Sequence, residues 1–292
     1  MVKTTCCIIM LLLGAVIFCT PAFSDENDDL KSYPWKKGYL NLGYYLATLD
    51  SNFRIGDKNL GVGIELDVES LLGLDTSDSS FRIDGGYRFG KTQRHKWEFS
   101  WFGFNRSGST FIDAEIEIPD VPPDGGGGDH SIGPGQFDTV FNFDIYKIKY
   151  EYSFLYDDRI DVSLGAGLYI MPIEFGFTGV IDGVGQSTVE ESITAPLPVV
   201  GLGFDFALTP KWFVRQQAEI FYLSIDDYKG SIANLQFALE YLPWKHVGFG
   251  LGIDWMDVSV EAKNITDVPG VDFTGSVEFS YLGLQLYLKV FF

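Results

Sequence analysis

The chain has 292 residues and carries 40 Asp and Glu against 21 Lys and Arg, a formal charge of −19 at pH 7. That balance argues against nucleic-acid partners and against electrostatic anchoring on anionic lipid. Aromatic residues at 16% and 33 glycines exceed ordinary globular usage, and no apolar run of about 18 residues follows the N-terminal segment, which excludes helical membrane spans.

At the N-terminus, Lys3 precedes the apolar run Cys6 to Phe18, which is too short to span a bilayer, and Pro21, Ala22, Phe23 and Ser24 follow it. Residues 1–24 therefore read as a signal peptide and 25–292 as the mature barrel domain. Cleavage removes all three cysteines, Cys6, Cys7 and Cys19, so the mature chain has neither disulfides nor thiol chemistry. It also removes Lys3, taking the formal charge from −19 to −20. Val16-Ile17-Phe18 before Cys19 ends in a bulky aromatic, where a lipoprotein signal resembles one ending in Gly or Ala.

Beyond the signal, apolar and polar residues alternate with period two, the period of strands. In chain order the expected strands are 38–48, 81–89, 95–106, 137–153, 160–171, 199–208, 212–224, 231–242, 247–258 and a last one ending at Phe292. The last is clearest: Leu282, Leu284, Leu286, Leu288, Val290 and Phe292 share one face, and Gly283, Gln285 and Lys289 lie on the other. The segment 137–153 changes phase, with Phe141, Phe143 and Ile145 followed by Tyr146, Ile148, Tyr150 and Tyr152. A β-bulge near Ile145 would restore one outward face.

An all-β, antiparallel transmembrane β-barrel follows, with ten strands expected and eight or twelve as neighbouring even counts. Two features favour a barrel over a soluble sandwich. Tyr39, Tyr44, Trp97, Trp101, Tyr152, Trp212, Tyr222, Tyr241, Trp244 and Trp255 cluster toward strand ends, as an interfacial girdle requires. Connections 90–94, 155–159, 209–211 and 243–246 are short, whereas 49–80, 107–136 and 176–194 are long. Short turns belong on the periplasmic side, which places both termini there in a cell outer membrane.

The alternation from Leu282 to the terminal Phe292 resembles the C-terminal assembly signal of small Gram-negative outer-membrane barrels, the broad OmpW-like and OmpX-like grouping. Leu71-Leu72-Gly73-Leu74-Asp75, Phe81-Arg82-Ile83-Asp84, Tyr87-Arg88-Phe89 and Asn105-Arg106-Ser107-Gly108 resemble an uncharacterised barrel family. The resemblance implies outer-membrane lipid, lipopolysaccharide and the barrel assembly machinery as partners, Phe292 as the residue that machinery reads, and no activity.

Function is sought in the lumen and the loops. The expected inward charges are Arg82, Arg88, Arg106, Lys147, Lys149, Arg215 and Lys289 with Asp84, Glu98, Asp144, Glu151, Asp161, Asp205, Glu219, Glu240 and Asp254. Near-balanced charges in a narrow barrel form crossing ion pairs or a polar path for a small solute. The lumen glycines Gly165, Gly167, Gly201, Gly203, Gly248, Gly250 and Gly252 are expected to leave an off-centre path.

No catalytic residue, cofactor or metal site is expected. Ten-stranded omptin-type barrel proteases resemble a set of acids plus His at the outer rim, but His130 lies in the Gly-rich tract and His95 and His246 fall in short turns, read as solvated. The acidic loop residues, among them Asp50, Glu65, Asp67, Asp75, Asp78, Asp113, Glu115, Glu117, Asp129, Glu190 and Glu191, lack a strict Ca²⁺-loop spacing. The expected function is a narrow passive channel for ions or small solutes, with 49–80 as a gate or plug around Val68, Leu71 and Leu72. The alternative is a structural or surface-binding barrel acting through its acidic loops.

Overall fold

The computed structural model describes residues 37–55, 64–67, 73–112, 116–118, 130–132, 135–181, 185–225, 228–262 and 275–292. The expected segment 1–24 and the Val68, Leu71 and Leu72 cluster lie outside them. The strands are β1 (Gly38–Ile55), β2 (Ile64–Asp67), β3 (Ser77–Phe89), β4 (His95–Ile112), β5 (Ile116–Ile118), β6 (His130–Ile132), β7 (Gly135–Tyr156), β8 (Ile160–Ile181), β9 (Gly185–Ala207), β10 (Trp212–Ile225), β11 (Tyr228–Tyr241), β12 (Val247–Ala262) and β13 (Gly275–Phe291).

Ten of these close a barrel: β1, β3, β4 and β7 to β13 pair antiparallel with their neighbours, and β13 returns to β1. All ten expected strands are present, most of them longer at the long-loop end. The extra length carries little apolar alternation, because outside the bilayer neither face needs to be greasy, but the hydrogen-bond ladder continues, as far as Ile181↔Gly185 between β8 and β9. Closure is completed at the last residue, where Phe292 and Gly38 exchange two backbone hydrogen bonds of 3.0 Å each.

Outward faces carry the greasy stripe. Leu284, Leu286, Leu251, Ile253, Leu202 and Leu164 are all exposed, Leu286 to 64%. At the tight-turn end the girdle is built from ring pairs, including Trp212 with Tyr241 at 4.7 Å and Trp97 with Tyr150 at 5.4 Å between centroids. His95 belongs to this belt and is not simply solvated: its ring stacks on Phe89 at 5.4 Å, and its Nδ1 lies 2.7 Å from the Tyr150 hydroxyl. Tyr39, expected in the girdle, instead faces inward and is buried.

The phase change expected near Ile145 is absent. Phe141, Phe143, Ile145, Lys147, Lys149 and Glu151 are all buried on one continuous inward face, and the register of β7 with β8 shifts only between Ser153 and Leu155. Apolar rings need not face lipid when the barrel interior is itself apolar at their level.

Two ladders stop short at the long-loop end. Pairing of β3 with β4 ends at Ile83↔Trp101, and pairing of β9 with β10 ends at Ile220↔Val200, although all four strands continue. Above these points the wall divides into a leaf of β4, β7, β8 and β9 and a leaf of β10 to β13 with β1 and β3, β2 pairing onto the far end of β1.

Candidate functional site

The barrel interior is stacked in three levels. A floor at the tight-turn end is made by Tyr39, Ala207, Phe213, Leu242 and Phe291. A charged band lies above it, and above that an apolar cluster includes Tyr45, Phe102, Phe104, Phe141, Phe143, Met171, Met256, Phe279 and Tyr281.

In the band, alternation sends every second side chain inward, and the charged ones among them meet across the barrel. Arg82 of β3 contacts Asp84 at 2.9 Å and Asp254 of β12 at 2.5 Å. Its guanidinium lies 4.6 Å from the Phe102 ring centroid. Asn234, Gln236 and Tyr281 donate to Asp254 at 2.6, 3.1 and 3.4 Å, while Ser100 and Gln285 donate to Asp84 at 2.7 and 3.0 Å.

A second knot centres on Lys149, which contacts Glu151 at 2.6 Å, Glu219 at 2.7 Å and Glu98 at 3.1 Å. Lys147 contacts Glu219 at 3.2 Å, and the Tyr169 hydroxyl donates to the same carboxylate. Gln217 of β10 reaches Glu98 of β4 at 3.0 Å, and Tyr39 donates to Glu98 at 2.9 Å. Nearer the floor, Lys289 contacts Glu240 at 2.7 Å, Arg215 contacts Asp205 at 3.2 Å, and Arg88 pairs with Asp161. Arg106 stands apart in the apolar cluster, donating to Ser51 at 2.8 Å with its guanidinium 5.0 Å from the Phe141 ring centroid.

Fifteen of the sixteen expected charges face this interior; Asp144 does not. It lies on the outward face of β7 and accepts a hydrogen bond from Trp101 at 3.2 Å, because the continuous phase of β7 turns even-numbered residues outward. The residue missed from sequence is Lys96, buried and bridging Glu98 at 2.8 Å and Glu151 at 2.6 Å. Its signal was its parity with Glu98, obscured by the adjacent turn. Gaining Lys96 turns the seven expected cations into eight, and losing Asp144 turns the nine anions into eight. Charge in the described interior is balanced, as burial in a low-dielectric wall demands.

At three of the expected lumen glycines the space is already filled. A Cβ on Gly250 would fall 2.1 Å from the Tyr287 ring, one on Gly165 2.8 Å from the Glu151 side chain, and one on Gly201 2.8 Å from that of Glu219. These positions are bare so that a neighbouring side chain fits over them. Beside Gly252, where an added Cβ would meet nothing closer than 3.5 Å, lies a cavity of about 50 Å³ lined by Asn41, Arg82, Asp84, Lys147, Gln217 and Asp254, among others. That is room for a few waters, and Asn41 Oδ1 is a buried acceptor without a protein donor beside it.

No group of three metal-binding side chains occurs among the described residues. Asp113, Glu115 and Asp129 lie outside those residues. His130 does not sit in an unpaired tip, since its backbone pairs with Ile118 in the β5–β6 ribbon.

A family model described as an outer membrane protein beta-barrel domain matches residues 10–241. The outer membrane protease OmpT of Escherichia coli superposes with a TM-score of 0.57 at 10% identity, over 89% of this chain and 98% of its own, a likeness of fold alone. The transport unit of the Escherichia coli autotransporter AIDA-I aligns over 93% of this chain and 94% of its own, with a TM-score of 0.42 at 7% identity. Ail of Yersinia pestis, solved with a heparin analogue, aligns over 87% and 98% with a TM-score of 0.34 at 11% identity. No curated protein matches the sequence.

Proposed function

We propose that this chain, which belongs to the outer membrane protein beta-barrel family, is a solute-tight barrel acting as a structural and surface-binding element, and not the narrow channel expected from its lumen charges. The observation that supports this reading is ring contact across the lumen between strands that are not neighbours in the sheet. The rings of Phe143 on β7 and Phe279 on β13 meet at 4.6 Å between centroids, and Phe104 on β4 lies 6.0 Å from Tyr281 on β13. A hydrated ion entering from the long-loop end meets this apolar cluster before it reaches the charged band.

In this reading the tight turns and both termini are periplasmic, the acidic loops face outward toward lipopolysaccharide, and the barrel assembly machinery reads Phe292. The charged band is internal structure: it holds the walls together and moves no solute. Catalysis has no footing in it either, since His95 faces outward in the girdle and His246 lies in an exposed turn.

The test is reconstitution of the purified barrel in liposomes and planar bilayers. Neither swelling in a disaccharide nor step conductance is expected. Porin-sized conductance from the wild-type protein would overturn the reading, and cleavage of peptide libraries by it would overturn the non-catalytic assignment.

A further inference from the structure

The outward stripe of β10 is interrupted once by a polar side chain. Trp212, Ile220 and Tyr222 are exposed on that face, while Phe213, Gln217 and Glu219 are buried on the other. The parity that exposes Trp212 also turns Gln216 outward. Its outward neighbours are apolar in every direction: Val214 and Ala218 along the strand, Phe204 of β9 and Phe237 of β11 beside it in register. Gln216 stands about 13 Å of strand from Trp212 and about 20 Å from Tyr222, the aromatic residues at the two ends of this stripe, so it lies within the apolar band.

The Gln216 side chain makes no hydrogen bond among the described residues. A primary amide carries two N–H donors and a carbonyl acceptor, and hydrocarbon offers a partner to neither. Lipid headgroups lie at the girdle levels, beyond the reach of a Gln side chain. The surface around the amide is grooved. On the flanking strands Leu202 is 56% and Phe237 44% exposed, whereas the small Ala218 and Gln216 itself are half-buried between them.

We propose that the face formed by β9, β10 and β11 is the interface of a homodimer in the bilayer, with the Gln216 amides of two copies hydrogen-bonded to each other across a two-fold axis. Depth and chemistry both select a second copy of this chain as the occupant. Every copy sits in the membrane the same way up, so the two-fold axis lies along the bilayer normal and brings a residue beside it level with its own counterpart. An amide is its own complement, the carbonyl of each accepting from the nitrogen of the other. An axis facing β10 also sets β9 of one copy against β11 of the other, so the ridges of Phe204 and Phe237 flank the amide pair on both sides and exclude lipid from it. Lipid supplies no hydrophobic drive between the barrels, and the association rests on this hydrogen bonding and on packing along the groove.

The experiment is sedimentation equilibrium of the mature protein in density-matched zwitterionic detergent over a range of protein-to-detergent ratios. A monomer–dimer equilibrium is expected. Gln216→Leu should weaken it about tenfold, the scale of amide hydrogen bonds within lipid, and Gln216→Asn, which keeps the amide, should weaken it less. Leu suits a lipid-facing position, so Gln216→Leu should fold normally, which heat-modifiable gel mobility checks. A second measurement places the interface on the barrel wall. In phosphatidylcholine vesicles, donor and acceptor dyes on Lys211→Cys, in the turn that leads into β10, should transfer energy severalfold more efficiently than dyes on Lys91→Cys, in the turn between β3 and β4. The contrast arises because β3 lies five strands from β10 in either direction around the barrel. A monomer at every ratio overturns the proposal and leaves this face to lipid or to a different protein. An assembly larger than two, association that Gln216→Leu leaves unchanged, or equal energy transfer from both sites also overturns it.

Discussion

Glu219 gives the sharpest test of whether the interior is dry. Its carboxylate takes Lys147 at 3.2 Å, Lys149 at 2.7 Å and the Tyr169 hydroxyl, and the residue is only 1% exposed. Glu219→Gln keeps the shape and removes the charge. Lys149 retains Glu98 and Glu151 at 3.1 and 2.6 Å, so the loss falls on Lys147, whose ammonium pairs with Glu219. Breaking a buried pair from one side costs about 3–5 kcal/mol, because the remaining charge stays desolvated. Lys147→Met in the same chain should return more than about half of that cost, whereas Lys147→Met alone should cost about 1 kcal/mol, since Glu219 keeps Lys149 and Tyr169. Urea unfolding in vesicles, followed by the heat-modifiable gel mobility of the folded barrel, measures all three. A cost below about 1 kcal/mol for Glu219→Gln would refute the reasoning, since only a water-filled lumen could rehydrate Lys147 so cheaply.

Leu286→Arg, on the lipid face, should cost about 2–4 kcal/mol at the bilayer midplane. Gln285→Arg, which a wide lumen would tolerate, should here be comparably damaging, because its amide is already committed to Asp84 at 3.0 Å; the same unfolding titration compares the two. Gly250→Ala should cost about 1–3 kcal/mol through overpacking against Tyr287, and Gly250→Ala with Tyr287→Leu should cost less than the single change. Deleting Phe292 should lower the yield of assembled barrel in the outer membrane, read by fractionation, and a normal yield would remove its role as signal. Protease added to whole cells should cut within 107–136 or 176–194 and spare 155–159 and 209–211; the opposite pattern would invert the orientation.

The sequence carried the outward stripes well because lipid imposes one rule on every strand: Leu202, Leu251 and Leu286 are greasy for the same reason. It carried the interior less well because no single solvent occupies it. By composition alone Phe141 and Phe143 suit lipid, and facing them outward requires a bulge that turns Asp144 inward; a dry upper interior makes the bulge unnecessary. Lys96 escaped notice because it adjoins Arg94 and His95 at a turn, where charge is usually solvated. The glycines declared where side chains are missing but not which neighbours, Tyr287 or Glu219, fill the space. Beyond the last β3–β4 pair, Ser77 to Ser80 are uniformly polar, which reads as an ordinary extension above the bilayer and does not mark an interrupted ladder.

The buried polar contacts also constrain how this barrel can be built. Arg82 finds Asp254 across 172 residues of chain, Gln217 finds Glu98 across 119, and Gln285 finds Asp84 across 201. A nascent sheet that had reached β11 but still lacked β12 and β13 would hold Arg82 without Asp254 and Glu240 without Lys289. Such an intermediate cannot rest in hydrocarbon, because its uncompensated charges would face a low dielectric. Insertion should therefore be delayed until the terminal hairpin arrives, with the open sheet kept wet and outside the membrane core. The rate of biogenesis then depends on the slow search for these distant partners and little on the fast local zipping of hairpins.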